Sequence, residues 1–125
     1  MNSHLLEDNY RHKGLRKQLV DQLRAKGITD EAVLSAINEV PRHIFLDSSF
    51  VELAYQDMAF PISSGQTISQ PSTVAFQTQL LQVEKGMKVL EIGTGSGTLV
   101  FCFAVRNYAK PNDKKTIFAE IFSLC

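Results

Sequence analysis

A chain of 125 residues has room for one domain. Hydrophobic residues make up 44% and charged residues 21%, which excludes intrinsic disorder and collagen-like repeats. Thirteen Lys and Arg balance thirteen Asp and Glu, so the basic surplus of a general nucleic-acid binder is missing and no nucleic-acid partner is expected. The first forty residues read as helix. Leu15, Leu19 and Leu23 recur at four-residue spacing, and Arg11, Lys13, Arg16, Lys17, Asp21, Arg24 and Lys26 fill the remaining, solvated faces up to Gly27. A second helix is capped by Thr29 or Asp30, carries Val33, Ile37 and Val40 on one face, and stops at Pro41. Residues 42–53 are short and mixed, with Ile44, Phe45, Leu46, Phe50 and Val51 supplying core.

Residues 60–71, Phe-Pro-Ile-Ser-Ser-Gly-Gln-Thr-Ile-Ser-Gln-Pro, read as an ordered loop or hairpin. Pro71 suits the first turn of a third helix, with Gln70 or Ser69 near the cap and Val74, Phe76, Leu80 and Leu81 along it, ended by Glu84-Lys85-Gly86. Residues 87–92 read as a buried strand running into Gly93-Thr94-Gly95-Ser96-Gly97. An apolar stretch from Leu99 to Val105 reads as the next helix, residues 110–115 as a turn and Thr116 to Phe122 as a second strand. Strand, glycine loop, helix, turn and strand begin an α/β nucleotide-binding unit.

No apolar run approaches the roughly 20 residues that span a bilayer, so no membrane partner is expected. The start, MNSHLLEDNYRHKG, lacks the apolar core of a secretory signal. Cys102 and Cys125 make neither a disulfide framework nor a CxxC metal pair. The expectation is a soluble, reduced, cytoplasmic protein.

Glycines at alternate positions let backbone approach a ligand with no Cβ in the way, and they free N–H groups at the start of the following helix. The dinucleotide fingerprint GxGxxG would need a glycine at Thr98. The spacing E-I-G-T-G-S-G instead resembles the first motif of S-adenosylmethionine-dependent methyltransferases. That resemblance places Glu91 at the strand end beneath the cofactor and Gly93, Gly95 and Gly97 around its methionine end. The alternative is a tight strand-to-helix turn with no ligand.

Four segments together resemble protein-L-isoaspartate O-methyltransferase. They are Gln22-Leu23-Arg24-Ala25-Lys26-Gly27-Ile28, Val40-Pro41-Arg42, Gly65-Gln66-Thr67-Ile68-Ser69-Gln70-Pro71 and Val89 to Gly97. Their order and spacing are those of the amino-terminal half of that family, over roughly residues 15 to 97, and the GQTISQP loop is the most specific part. The resemblance implies an α/β fold: an amino-terminal helical segment with the active-site loop over 1–82, then the start of a Rossmann-like class I methyltransferase sheet over 83–125, incomplete within one domain. It implies a repair enzyme that methylates the abnormal carboxylate of isoaspartyl residues in damaged proteins with S-adenosyl-L-methionine. The ester then closes to a succinimide that can reopen to aspartate. Ser69 takes the active-site place, and Gln66, Thr67 and Ile68 line the cofactor and substrate region.

Such sparse equipment suits the chemistry. A carboxylate is already ionised near neutral pH, so its attack on a sulfonium methyl needs no general base. In-line displacement then depends on alignment and on exclusion of water. His4, His12 and His43 lie outside both motifs with no metal-ligand spacing, and they read as surface or packing residues. No metal is expected. For Ser69 the competing role is a helix cap before Pro71.

After Gly97 the resemblance stops. An acid that holds the cofactor's ribose is expected on the second strand. Asp113 falls in the turn and Glu120 near the middle of that strand, so neither is a clear match for it. The later strands are absent, which points to truncation or a change of reading frame. A short parallel sheet cannot cover both its faces. Phe101, Phe103, Val105, Ile117, Phe118, Ile121 and Phe122 are then expected to favour self-association. Three readings follow: an active methyltransferase, a catalytically dead remnant that at most binds cofactor or a partner, or an interaction module that keeps the glycine loop as a turn.

Overall fold

The computed structural model describes residues 7–62, 65–84, 87–91 and 116–119, and for 88–91 and 116–119 the backbone alone. Helix α1 (Tyr10–Ala25) starts at Asn9, whose side chain accepts from the His12 N–H at 3.0 Å. Its buried stripe is His12, Arg16, Leu19, Val20 and Leu23, with Leu15 partly buried beside it. The expectation that Arg16 lies on the solvated face is corrected: it is 4% exposed. Asp8, Tyr55 and the Asn38 carbonyl accept from all three of its nitrogens, which makes burial tolerable.

The stop signal of α1 works as Gly27 suggests. The Gly27 N–H reaches the Arg24 carbonyl and the Ile28 N–H reaches the Leu23 carbonyl, both at 3.1 Å. Gly27 sits at φ +97°, and Leu23 and Ile28 meet in the core, so the helix ends in a complete Schellman motif. Helix α2 (Glu31–Glu39) is capped by Asp30, which accepts from Ala32 N–H at 2.9 Å and Val33 N–H at 3.2 Å. Gln79 reaches across from the third helix, its Oε1 accepting from the N–H groups of Thr29 at 2.7 Å and Asp30 at 3.0 Å.

Two 3-10 turns, Arg42–Phe45 and Ser48–Leu53, lead out of α2. They bury Leu46 and Val51 and partly bury Phe45 and Phe50, whereas Ile44, expected in the core, is 38% exposed. The short 3-10 spacing turns Ile44 outward while Arg42 and His43 take the inner places. Strands β1 (Phe60–Pro61) and β2 (Thr67–Ile68) form an antiparallel hairpin with Phe60 opposite Ile68 and Pro61 opposite Thr67.

Helix α3 (Pro71–Leu80) places Pro71 at its first position. It buries Pro71, Ala75 and Thr78, while Phe76 and Leu80 point outward. The helix stops at Leu80, ahead of Glu84, and Gln82 turns the chain at φ +48°. Helix α1 packs on α2, and α2 on α3. Leu19, Leu23, Ile28, Leu34, Ile68 and Ala75, each no more than 3% exposed, make the centre of the core. Through Ile68, the hairpin is rooted in that centre.

Strands β3 (Lys88–Glu91) and β4 (Thr116–Ala119) pair in parallel, with Lys88 opposite Thr116 and Glu91 opposite Ala119. The two strands run parallel, as neighbours in an α/β sheet do, so the expected beginning of such a sheet is present. The glycines 93, 95 and 97, the apolar stretch 99–105, the turn, Asp113, Glu120 and the aromatic residues 101, 103 and 122 lie outside the described residues. Among the described residues no helix is long and apolar enough to cross a membrane.

Candidate active-site hairpin

The hairpin alternates its side chains. Phe60 and Ile68 face the core at 3% and 1% exposure, whereas Gln66, Thr67 and Ser69 face outward. The Ile62 N–H donates to the Gln66 carbonyl at 2.8 Å, and Gly65 sits at φ +66°, a conformation that glycine adopts without strain. Ile68 therefore anchors the loop from below, and any contact it makes at the outer surface runs through its backbone. Of the four residues expected in this loop, Gln66, Thr67 and Ser69 are exposed and Ile68 is buried.

Ser69 is not the cap of α3. The N-cap position is Gln70, and the Ser72 N–H donates at 2.8 Å to Oδ1 of Asp57, from the segment before β1. The Ser69 hydroxyl has no hydrogen-bond partner among the described residues, while the Ser69 carbonyl accepts from Arg42 Nη1 at 2.9 Å. The structural duty that competes for this serine is thus performed by an aspartate fifteen residues before Ser72. Asp57 Oδ2 also meets the Lys26 ammonium at the end of α1. Burial opposes ionisation of Asp57, but the Lys26 ammonium and the Ser72 amide outweigh it and hold the carboxyl below its ordinary value.

Arg42, buried beneath the hairpin, spends its guanidinium on three backbone carbonyls. Nε donates to Ala54, Nη1 to Ser69 and Nη2 to Met58, each at 2.9 Å. Its Cζ lies 5.9 Å from the centre of the Phe60 ring. Burial pushes its pKa down to about 10, against the fields of Asp57 and Tyr55. In the sequence Arg42 stands out only as part of the Val40-Pro41-Arg42 turn. The signal was an arginine directly after a helix stop, inside an apolar run, where solvent is scarce.

A second polar group was missed. Arg16 grips Asp8 through Nη1 and Nη2, both at 2.9 Å, and also donates to the Tyr55 hydroxyl at 3.0 Å. His43 Nδ1 lies 2.7 Å from that hydroxyl, and the His12 ring stacks on His43 with centroids 3.9 Å apart. The Arg16 hydrogen bond holds the Asp8 carboxyl below its ordinary value, and burial pushes the Tyr55 hydroxyl up. Ligand atoms of Asp8, His12 and His43 lie within 4.8 Å of one another. Both Asp8 oxygens already accept from Arg16, however, and stacked imidazoles direct their in-plane lone pairs side by side rather than at one point. The cluster works as a buried joint between α1 and the first 3-10 turn. His12 and Arg16 were legible in principle, since they continue the Leu19–Leu23 stripe backward at helical spacing.

Glu91 ends β3, at the carboxyl edge of a parallel pair, where α/β sheets receive their ligands. Its side chain and the glycine loop lie outside the described residues.

A family model described as protein-L-isoaspartate(D-aspartate) O-methyltransferase matches residues 14–111. The match continues past Gly97, where the sequence reading ended it. A protein-L-isoaspartate O-methyltransferase of Cytophaga hutchinsonii is 70% identical over 92 residues, 74% of this chain and 42% of the relative. Its counterpart in Christiangramia forsetii is 63% identical over 99 residues, 78% of this chain and 46% of the relative. Among solved structures, a Plasmodium falciparum protein described as a protein-L-isoaspartate O-methyltransferase, crystallised with S-adenosyl-L-homocysteine, superposes with a TM-score of 0.61 at 29% identity. That alignment covers 82% of this chain and 46% of the other. The chain spans less than half the length of these relatives.

Proposed function

The chain belongs to the protein-L-isoaspartate(D-aspartate) O-methyltransferase family, and on that premise we propose that it transfers a methyl group from S-adenosyl-L-methionine to the isoaspartyl carboxylate of damaged proteins. The observation that carries this reading is the hairpin. Ser69 stands outward and unburdened by capping, on a main chain held by Arg42 and rooted by Ile68.

In this reading Ser69 donates its hydroxyl to the isoaspartyl carboxylate and orients it, with Gln66 and Thr67 beside it. Residues 1–82 form the substrate side. Residues 83–125 form the cofactor side, with Glu91, Gly93, Gly95 and Gly97 around the cofactor at the open edge of the β3–β4 pair. That edge suits a cofactor because the chain leaves β3 directly into the alternating glycines. S-adenosylmethionine supplies the electrophilic methyl carbon. The isoaspartyl carboxylate is ionised near neutral pH, so no residue of this chain need remove a proton, and the site's task is alignment and exclusion of water.

The test is methyl transfer from labelled S-adenosylmethionine to an isoaspartyl peptide, with the aspartyl isomer as control and circular dichroism to establish folding. Isomer-selective transfer that Ser69→Ala lowers about 10-fold or more supports the reading. A folded chain that binds S-adenosylhomocysteine without transfer to the isoaspartyl peptide would overturn the proposed activity of this chain.

A further inference from the structure

We infer that Arg42 is a positioning residue for the reaction, closing the base of the Ser69 hairpin with a single guanidinium. The inference rests on the function proposed above. Met58 precedes β1 by two residues and Ser69 follows β2 directly, so Arg42 Nη2 and Nη1 grip the two stems of one hairpin. Nε fixes the fork itself to Ala54, at the end of the second 3-10 turn. A guanidinium is planar with donors at fixed spacing, so three carbonyls bound to it hold one mutual arrangement.

The hairpin needs such a closure. Each strand contributes only two paired residues, and a ribbon so short does not hold itself in water. Phe60 and Ile68 root one side chain of each strand in the core but leave the main chain at Ser69 free to turn. The Arg42 bond to the Ser69 carbonyl removes that freedom at the residue whose hydroxyl must meet substrate. Just beyond it, Asp57 holds the Ser72 N–H, so the Ser69 segment is fixed from both sides.

The choice of residue also argues for geometry over stability. Among the described residues no carboxylate accepts a hydrogen bond from Arg42, and Asp57 acts on it only through its field. A buried cation without an ion pair is a poor way to gain stability, whereas a fork that reaches three segments is a good way to fix their arrangement.

Arg42→Lys keeps the charge and loses the fork. We expect kcat for an isoaspartyl peptide to fall about 10- to 100-fold with the KM for S-adenosylmethionine within about two-fold. Amide exchange at Ile62 and residues 66–69 should speed by about ten-fold or more, while that of Leu19–Leu23 in α1 stays unchanged. Hairpin and α1 amides accelerating together would make Arg42 a general brace and overturn the inference, as would no change in either. If Arg42→Lys does not fold, the wild-type chain decides. The Nη protons of Arg42 should then exchange with the protection of the hairpin amides, and protection equal to that of α1, or none, overturns it. Absence of methyl transfer by the wild-type chain would sink the proposed function while leaving these exchange comparisons to judge Arg42.

Discussion

Asp57 joins three places in the chain with one carboxylate: the end of α1 through Lys26, the start of α3 through Ser72, and the segment entering β1. Its side chain is 7% exposed, while its partner Lys26 is 52% exposed, so the Ser72 contact is the more sheltered of the two. Its folded pKa lies below the unfolded value near 3.9, so its contribution is complete above that value and disappears as pH falls through the folded one. Asp8, held down by Arg16, acts in the same sense. Asp57→Asn should therefore cost about 1–2 kcal/mol in urea unfolding at pH 7. That difference should be smaller at pH 3 than at pH 7, since the unfolded carboxyl is then largely protonated. A gap of equal size at both pH values would mean that the charge of Asp57 is not what holds Lys26. Nothing in the neighbourhood of Asp57 in the sequence announces these partners, because Lys26 is 31 residues away and Ser72 15.

Among the elements, the helices were legible and the hairpin only in outline. A helix start or stop is written within a few residues: Asp30 before Glu31, Gly27 after Lys26, Pro71 opening α3. The face a helix buries is less local. Helix α3 turns Phe76 and Leu80 outward at 54% and 64% exposure and presents Ala75 and Thr78 inward, which the apolar pattern of its sequence does not announce. Gly65 and Gly27 both hold positive φ, and a Cβ at either would meet nothing within 4 Å. The strain of an alanine there is thus purely conformational. Each Gly→Ala change should cost about 1 kcal/mol. Gly27→Ala should appear as a lowered midpoint of global unfolding. Gly65→Ala should appear as faster exchange of the hairpin amides with α1 unchanged. Global loss from Gly65→Ala would show that the hairpin unfolds only with the core.

At the scale of the whole molecule, the described parallel pair has two strands, and a parallel sheet is normally covered on both faces. The relatives are more than twice as long as the stretch this chain shares with them. Ligand linkage measures how much of a cofactor site these 125 residues assemble. S-adenosylhomocysteine at about 100 times its Kd should stabilise the fold by about 2.7 kcal/mol, read as a rise in the unfolding midpoint. A midpoint that does not move at millimolar ligand, with no heat of binding, would remove the cofactor from the proposed function.

What the sequence determined by itself is what short stretches of chain encode: the helix boundaries, a turn-rich loop between Phe60 and Pro71, a strand entering alternating glycines, and the motifs that mark the family. Which polar groups meet is settled only when the chain folds. Arg16 lies inside because Asp8, Tyr55 and Asn38 converge on it. Arg42 holds Ser69 because Ala54 and Met58 share its fork, and Ser69 is relieved of capping because Asp57 takes the Ser72 amide. Periodicity and capping act over one or two turns of chain. The cost of burying a charge is met only by partners that folding brings from 8 to 39 residues away.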